Sequence, residues 1–241
     1  MYFPQEKSIA SERLRALARS CRIGTSPLHD CKKESPMSTL PGAATATVTA
    51  EDLCEAAQAL IHSRQNISPK RLAAPGPTPE QLEQLLGAAA AAPDHGQLHP
   101  WRFVIIPADK RTLLAEVFAQ ALIERDPAAT PEQLASAREK AHRAPLLMLA
   151  VARLGPMEPD IPALERMVSF GCALQNMLLS AHAMGFGSGL TSGQAMASAP
   201  MQKLFALSAG EHPVCFINIG TVSRRKPPPP RPGPWEFTST L

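Results

Sequence analysis

Helix starts are the clearest pattern of polar and hydrophobic positions in this chain. Three threonines are each followed three residues later by Asp or Gln, which is typical of a helix N-cap with a polar third position: Thr49, Thr78 and Thr130. The helix predicted over residues 79–91 then carries its apolar side chains on one face, at Leu82, Leu85, Leu86 and Ala89.

A fourth helix is predicted over residues 161–184, with Gly185 as its stop. Its apolar stripe is wide and contains small residues that permit close helix approach. Such a stripe needs two packing partners, so we expect this helix to be central and the chain to form an obligate homodimer. The stripe consists of Leu164, Met167, Val168, Gly171, Cys172, Leu174, Gln175, Leu178 and Ala181.

Three uncharged runs have the length and branched residues of β-strands, at residues 102–107, 146–153 and 214–222. We expect them to form one shared sheet. Helices together with this sheet predict an α+β domain over residues 49–226.

The two ends of the chain lack this periodicity. Residues 1–48 are predicted to be a disordered, dispensable appendage, and Met37 is a candidate for the true start. Residues 227–241 are predicted to be a proline-rich tail, since four consecutive prolines at 227–230 favour an extended polyproline segment.

Composition narrows the function classes. The net charge of +3 is spread over 241 residues, which argues against nucleic acid and favours a small anionic ligand. The longest apolar segment, residues 177–190, is too short and too interrupted for a membrane span. Five widely spaced cysteines without a Cys-x-x-Cys pair argue against a disulfide framework and a zinc site, so we expect a cytoplasmic protein.

One loop is predicted to be a binding site. Pro93 ends an alanine-rich helix and Pro100 precedes a strand, so the intervening polar side chains lie on a short turn between two buried elements: Asp94, His95, Gln97 and His99. A metal site at Asp94, His95 and His99 is an alternative, although the His-Glu-x-x-His pattern is absent.

A glycine-rich run at residues 185–193 follows the long helix and allows close approach of the backbone to a ligand. It has neither the Gly-Lys-Ser/Thr of a phosphate loop nor the position of a Rossmann fingerprint. A hydrolase with Ser188 or Ser192 as nucleophile and His95 or His182 as base is a further alternative, without a Gly-x-Ser-x-Gly elbow to support it.

The Ala-Pro-Asp-His block with Pro-Trp-Arg-Phe before a strand resembles the flavin-binding block of the nitroreductase family, nearest to its YdjA-type branch. The resemblance implies a mixed sheet flanked by helices and a flavin site shared across a homodimer. It implies an FMN-dependent NAD(P)H oxidoreductase that passes hydride through flavin to nitroaromatic or quinone-type acceptors. Another flavin-dependent dehydrogenase, a flavin-modifying enzyme and a non-catalytic FMN-binding module remain the alternatives.

The same resemblance implies which residues contact the cofactor. Arg64, Gln65 and Asn66 correspond to the Arg-Arg-Ser of the family, which places Arg64 on the FMN phosphate. His95 contacts the flavin elsewhere, and Leu190, Thr191 and Ser192 correspond to a Trp-Arg-Ser that touches FMN. Lys70, Arg71, Arg224 and Arg225 stay open as the second cation. No acid/base pair and no metal ligand are implied, because the redox chemistry belongs to the cofactor.

Overall fold

The computed structural model describes residues 48–156 and 159–241. The predicted appendage therefore lies outside the described residues, apart from Val48. Residues 63–241 form one compact unit, and residues 48–62 belong to another. The helices are α1 Ala50–Ser63, α2 Pro79–Ala90, α3 Arg111–Arg125, α4 Pro131–Glu139, α5 Ala163–Ala183 and α6 Ala199–Leu204. The strands are β1 Leu72–Ala73, β2 Trp101–Ile105, β3 Leu146–Arg153, β4 Gly187–Thr191 and β5 Glu211–Val222.

The three predicted N-caps are confirmed. The Thr49 hydroxyl accepts a hydrogen bond from the Asp52 amide at the start of α1. The Thr78 and Thr130 hydroxyls likewise accept hydrogen bonds from the amides three residues later. In turn, each threonine amide donates to the side-chain oxygen of the glutamine at that third position. Each cap forms a hydrogen bond with a helix amide that has no partner inside the helix. Helices α1, α2 and α4 therefore each begin directly after their threonine.

Strand β5 is the centre of the sheet. It pairs antiparallel with β1, β3 and β4, while β2 pairs antiparallel with the other edge of β3. Among the described residues, parallel pairing is limited to an isolated bridge between Asn66 and Ser188. The predicted α+β class is confirmed, with a sheet that is mixed only through this bridge.

Both faces of the sheet are covered, which explains why β3 reads as a continuous apolar run. Met148, Ala150 and Ala152 pack on one face against α2 and α5. The alternate residues Leu147, Leu149 and Val151 pack on the other face, together with apolar side chains of α3 and α6. Helix α5 is therefore central to the first layer, as predicted, but its buried face differs from the predicted stripe. Phe170, Ala173 and Met177 are buried, whereas the stripe residues Leu164 and Val168 are exposed.

Four elements were not predicted: helices α3 and α6 and strands β1 and β4. Helix α3 buries Leu114, Val117 and Ala121 at helical spacing. Its first residue, Arg111, is buried and donates hydrogen bonds to the carbonyls of Ile106, Ala141, Ala144 and Pro145. Strand β4 occupies the glycine-rich run. No helix in the described part of the chain has the length and hydropathy needed to cross a bilayer.

Candidate functional site

The segment Arg64, Gln65 and Asn66 leads from α1 into the sheet. Asn66 bridges to Ser188, and its side-chain oxygen accepts a 3.2 Å hydrogen bond from the Leu190 amide. These two segments are predicted separately as flavin contacts, and 124 residues separate Asn66 from Leu190. The structure brings them into direct contact.

The glycines of β4 make this contact sterically accessible. A Cβ at position 189 would lie 2.3 Å from the Ile67 carbonyl oxygen and 3.1 Å from the Asn66 side-chain oxygen. The Ile67 amide donates to the Ser188 carbonyl at 2.9 Å across the same approach. Gly189 is therefore needed for the chain to approach itself. The buried Ser188 hydroxyl beside it has no hydrogen-bond partner.

The hydroxyls of Thr191 and Ser192 have partners within the protein. The Thr191 hydroxyl accepts from the Asn218 side chain at 3.0 Å, and the Ser192 hydroxyl donates to the Val214 carbonyl at 2.9 Å. These bonds hold the end of β4 in place. Both residues line a cavity of about 590 Å³ whose apolar wall includes Phe118, Leu122 and Phe216.

Arg64 lies near a second positively charged side chain, Arg231. The Arg64 guanidinium is half-buried, and its Nε is buried without a hydrogen-bond partner among residues 48–156 and 159–241. Burial and the neighbouring Arg231 lower the pKa of Arg64. Burial, Arg225 and Arg64 likewise lower the pKa of His182, whose Nε2 lies 2.8 Å from the Ser63 hydroxyl.

No carboxylate in residues 48–156 or 159–241 forms an ion pair with Arg64, Arg225 or Arg231. A partly buried cation without a counterion is costly unless a ligand supplies the opposite charge. The donor set around Arg64 therefore fits an anion, and a phosphate group in particular, because guanidinium groups bind phosphate through several charge-assisted hydrogen bonds.

Arg71 and Arg224 lie near one end of the sheet. The carbonyl of Arg71 accepts hydrogen bonds from the amide and the hydroxyl of Ser223, at 2.9 and 3.0 Å. Arg224 follows directly and is exposed. The structure thus keeps both as candidates for the second cation.

The loop that carries His95 is held in a strained conformation. The Asp94 carboxylate accepts hydrogen bonds from the amides of Leu98 and His99, at 3.1 and 2.7 Å. Gln97 and His99 adopt positive φ angles of 53° and 47°. A non-glycine residue in this region costs about 1–3 kcal/mol, and such strain clusters at functional sites.

His95 itself projects from this loop onto the first turn of α5. Its Nδ1 lies 2.5 Å from a carboxylate oxygen of Glu165, and both side chains are exposed. Among the described residues, no hydrogen bond or ion pair joins His95 to the segment 64–66. Within one chain the contacts of His95 are therefore with α5, and those of Asn66 are with β4.

The alternative chemistries find no assembled site. Neither Ser188 nor Ser192 is bonded to a histidine, because the Ser192 hydroxyl donates to a carbonyl and His182 pairs with Ser63. The Asp94 carboxylate accepts hydrogen bonds from the backbone amides of its own loop. Residues 48–156 and 159–241 hold no group of three His, Cys, Asp or Glu side chains that could bind a metal ion.

Glu165 and Arg231 are the side chains that sequence reasoning missed. Each contacts a predicted site residue, Glu165 with His95 and Arg231 with the backbone carbonyl of Arg64. Their separations of 70 and 167 residues leave no local signal. A pattern read along the chain detects only neighbours within a few residues.

Comparison with known proteins gives a consistent match. The family model described as "Nitroreductase family" matches residues 64–221. A "Putative NAD(P)H nitroreductase" of Haemophilus influenzae is 35% identical over 154 residues, which cover 64% of this chain and 83% of that protein. The Escherichia coli protein YdjA carries the same description and is 34% identical over 167 residues, 69% of this chain and 88% of that protein.

Solved structures agree in fold. A nitroreductase-like family protein from Bacillus cereus superposes with a TM-score of 0.67 at 17% identity, covering 86% of this chain and 99% of that one. The FMN- and NADPH-dependent nitroreductase NfnB, in a mutant form from a Sphigopyxis strain, gives 0.61 at 16% identity, covering 76% and 98%.

Proposed function

We propose that this chain, which belongs to the nitroreductase family, is an FMN-dependent oxidoreductase that passes hydride from NAD(P)H to nitroaromatic or quinone-type acceptors. The observation that carries the proposal is the uncompensated positive charge around the half-buried Arg64. An FMN phosphate supplies the missing anion. The NAD(P)H-nitroreductase descriptions of the two relatives and the FMN and NADPH dependence of NfnB support the cofactor pair.

The protein's own residues bind the cofactor and orient it. Arg64 holds the phosphate, and segments 64–66 and 190–192, which contact each other through Asn66 and Leu190, lie beside the cofactor. The cavity beside Thr191 and Ser192 supplies the apolar wall that an aromatic ring system needs. When bound, the flavin would supply the redox chemistry, the transfer of a hydride equivalent from NAD(P)H to the acceptor.

We further propose a homodimer in which each flavin site draws on both subunits. Leu164 and Val168 of α5 have exposed fractions of 81% and 65%, although they belong to the predicted apolar stripe. Glu165, the partner of His95, stands between them in sequence. A second copy on this face would cover the apolar side chains and bring its own residues next to the His95 loop.

We also propose a reducing, cytoplasmic location. The three described cysteines, Cys54, Cys172 and Cys215, are free thiols. Burial raises the pKa of the Cys215 thiol to about 11, so this thiol is a packing residue rather than a reactive one.

Anaerobic spectroscopy tests the proposal. The purified protein is expected to show a flavin spectrum, or to acquire one with FMN. NADH or NADPH should then bleach it, and a nitroaromatic compound or a quinone should restore it. A protein that binds no flavin contradicts the proposal. Bound flavin that NAD(P)H does not bleach favours the non-catalytic module, and bleached flavin that neither acceptor restores favours another flavin enzyme of this fold.

A further inference from the structure

The cavity beside Thr191 and Ser192 also reaches helices α3 and α4. Its volume of about 590 Å³ is within the range of small-molecule sites. Phe118 and Leu122 of α3 and Phe216 of β5 belong to its apolar wall. Such a wall suits an aromatic compound, and the polar lining then decides which substituents that compound can carry.

The charged lining of this cavity is mainly positive. Arg125 at the end of α3 and Lys140 and Arg143, which lie between α4 and β3, all line it. Asp126 is the only carboxylate among the described residues that line the cavity, and it accepts a 3.1 Å hydrogen bond from the Ala128 amide in its own turn. The lining therefore carries three positive charges against one negative charge.

Two of these cations have no counterion. Arg143 forms an ion pair with Glu139, with 2.5 Å between Nη2 and a carboxylate oxygen. No ion pair of Arg125 or Lys140 occurs in residues 48–156 or 159–241, and both side chains are exposed. A negatively charged group in the cavity would therefore meet two cations that are not already paired within the described part of the chain.

We propose that this cavity selects electron acceptors with a carboxylate on an aromatic ring, and that Arg125 and Lys140 bind the carboxylate. The ring packs on the apolar wall, while the guanidinium and ammonium groups donate charge-assisted hydrogen bonds. The inference rests on the proposed function, because it takes the bound compound as the electron acceptor. With a nitro group on the ring, NAD(P)H gives a hydride and solvent gives a proton. The products are a nitroso group, one water and NAD(P)⁺.

Steady-state kinetics with two matched acceptors tests this selectivity. The compound para-nitrobenzoate carries the carboxylate, and para-nitrobenzamide is a neutral analogue of similar shape. In Arg125→Ala/Lys140→Ala the KM for the nitrobenzoate should rise about threefold to tenfold, while the KM for the nitrobenzamide stays at the wild-type value. High salt should raise the wild-type KM for the nitrobenzoate alone, because salt screens exposed charges.

The control variant is Lys110→Ala/Lys203→Ala. It removes two exposed positive charges that do not line the cavity, so both KM values should stay at the wild-type values. Thermal melts check that both double variants are folded.

The outcomes separate this inference from the proposed function. If Arg125→Ala/Lys140→Ala changes the two KM values equally or not at all, the selectivity is overturned and the proposed function stands. A higher KM for NADPH but not for NADH also overturns it, because the cations would then bind the additional phosphate of NADPH. A higher Kd for FMN overturns it as well, since the cations would then act on the cofactor. Flavin that NAD(P)H bleaches but that neither nitro compound reoxidises overturns the selectivity alone. Flavin that NAD(P)H does not bleach overturns both proposals.

Discussion

Replacing Arg64 with alanine should have opposite effects on the two forms of the protein. In the flavin-free protein, Arg64 carries a half-buried charge beside Arg231, and its Nε has no partner. Removing that charge relieves desolvation and repulsion, so the melting temperature of the flavin-free variant should be equal to that of the wild type or higher. In the flavin-bound protein the same change removes a charge-assisted contact to phosphate.

The loss of binding can be given a magnitude. A hydrogen bond to a charged group contributes about 1.5–3 kcal/mol, which corresponds to a Kd for FMN that is roughly ten to a hundred times higher. With FMN in excess, a tenfold higher Kd lowers the stabilisation by ligand by about 1.4 kcal/mol. The variant should therefore lose part of the gain in melting temperature that FMN gives the wild type, about 1.4 kcal/mol for each tenfold rise in Kd, without losing stability in its absence.

Fluorescence titration with FMN and thermal melts with and without FMN measure these quantities. Arg138→Ala is a matched control, because that guanidinium pairs with Glu116 on an exposed surface. The reasoning is refuted if Arg64→Ala binds FMN as tightly as the wild type while Arg71→Ala or Arg224→Ala does not. A large drop in the melting temperature of the flavin-free Arg64→Ala protein would also contradict it.

Three further changes test other parts of the structure. In Glu211→Gln, loss of the carboxylate should lower the free energy of unfolding by ~2–3 kcal/mol at pH 7. Hydrogen bonds from Arg102 hold the pKa of Glu211 at about 2, so urea titrations should show this difference vanishing as the pH falls from 4.5 towards 2. Val168→Asp places a charge on the exposed stripe of α5, and light scattering should report a monomer if the wild type is a dimer. His95→Ala should weaken FMN and riboflavin by the same factor, up to about tenfold, because we assign His95 away from the phosphate; loss confined to FMN would contradict that assignment.

Local pattern was sufficient where a few neighbouring residues determine the structure. The N-caps at Thr78 and Thr130 need only a side chain and an amide three residues later, and both helices begin as predicted. Strand β3 was predicted with its observed bounds, because a short continuous apolar run between polar ends is typical of a buried strand. Helix α3 carries the same helical spacing at Leu114, Val117 and Ala121, although no helix was predicted there.

The candidate site depended on contacts that the order of residues does not reveal. The sequence, through its family resemblance, determined the α+β class and pointed to Arg64, His95 and residues 190–192. Only the tertiary structure showed that Asn66 bridges to β4, and that Gly189 permits this approach where a side chain would collide with the Ile67 carbonyl. It alone placed Arg231 beside Arg64. Charge neighbours and close backbone approaches arise when distant segments pack, and packing is set by the whole fold rather than by spacing along the chain.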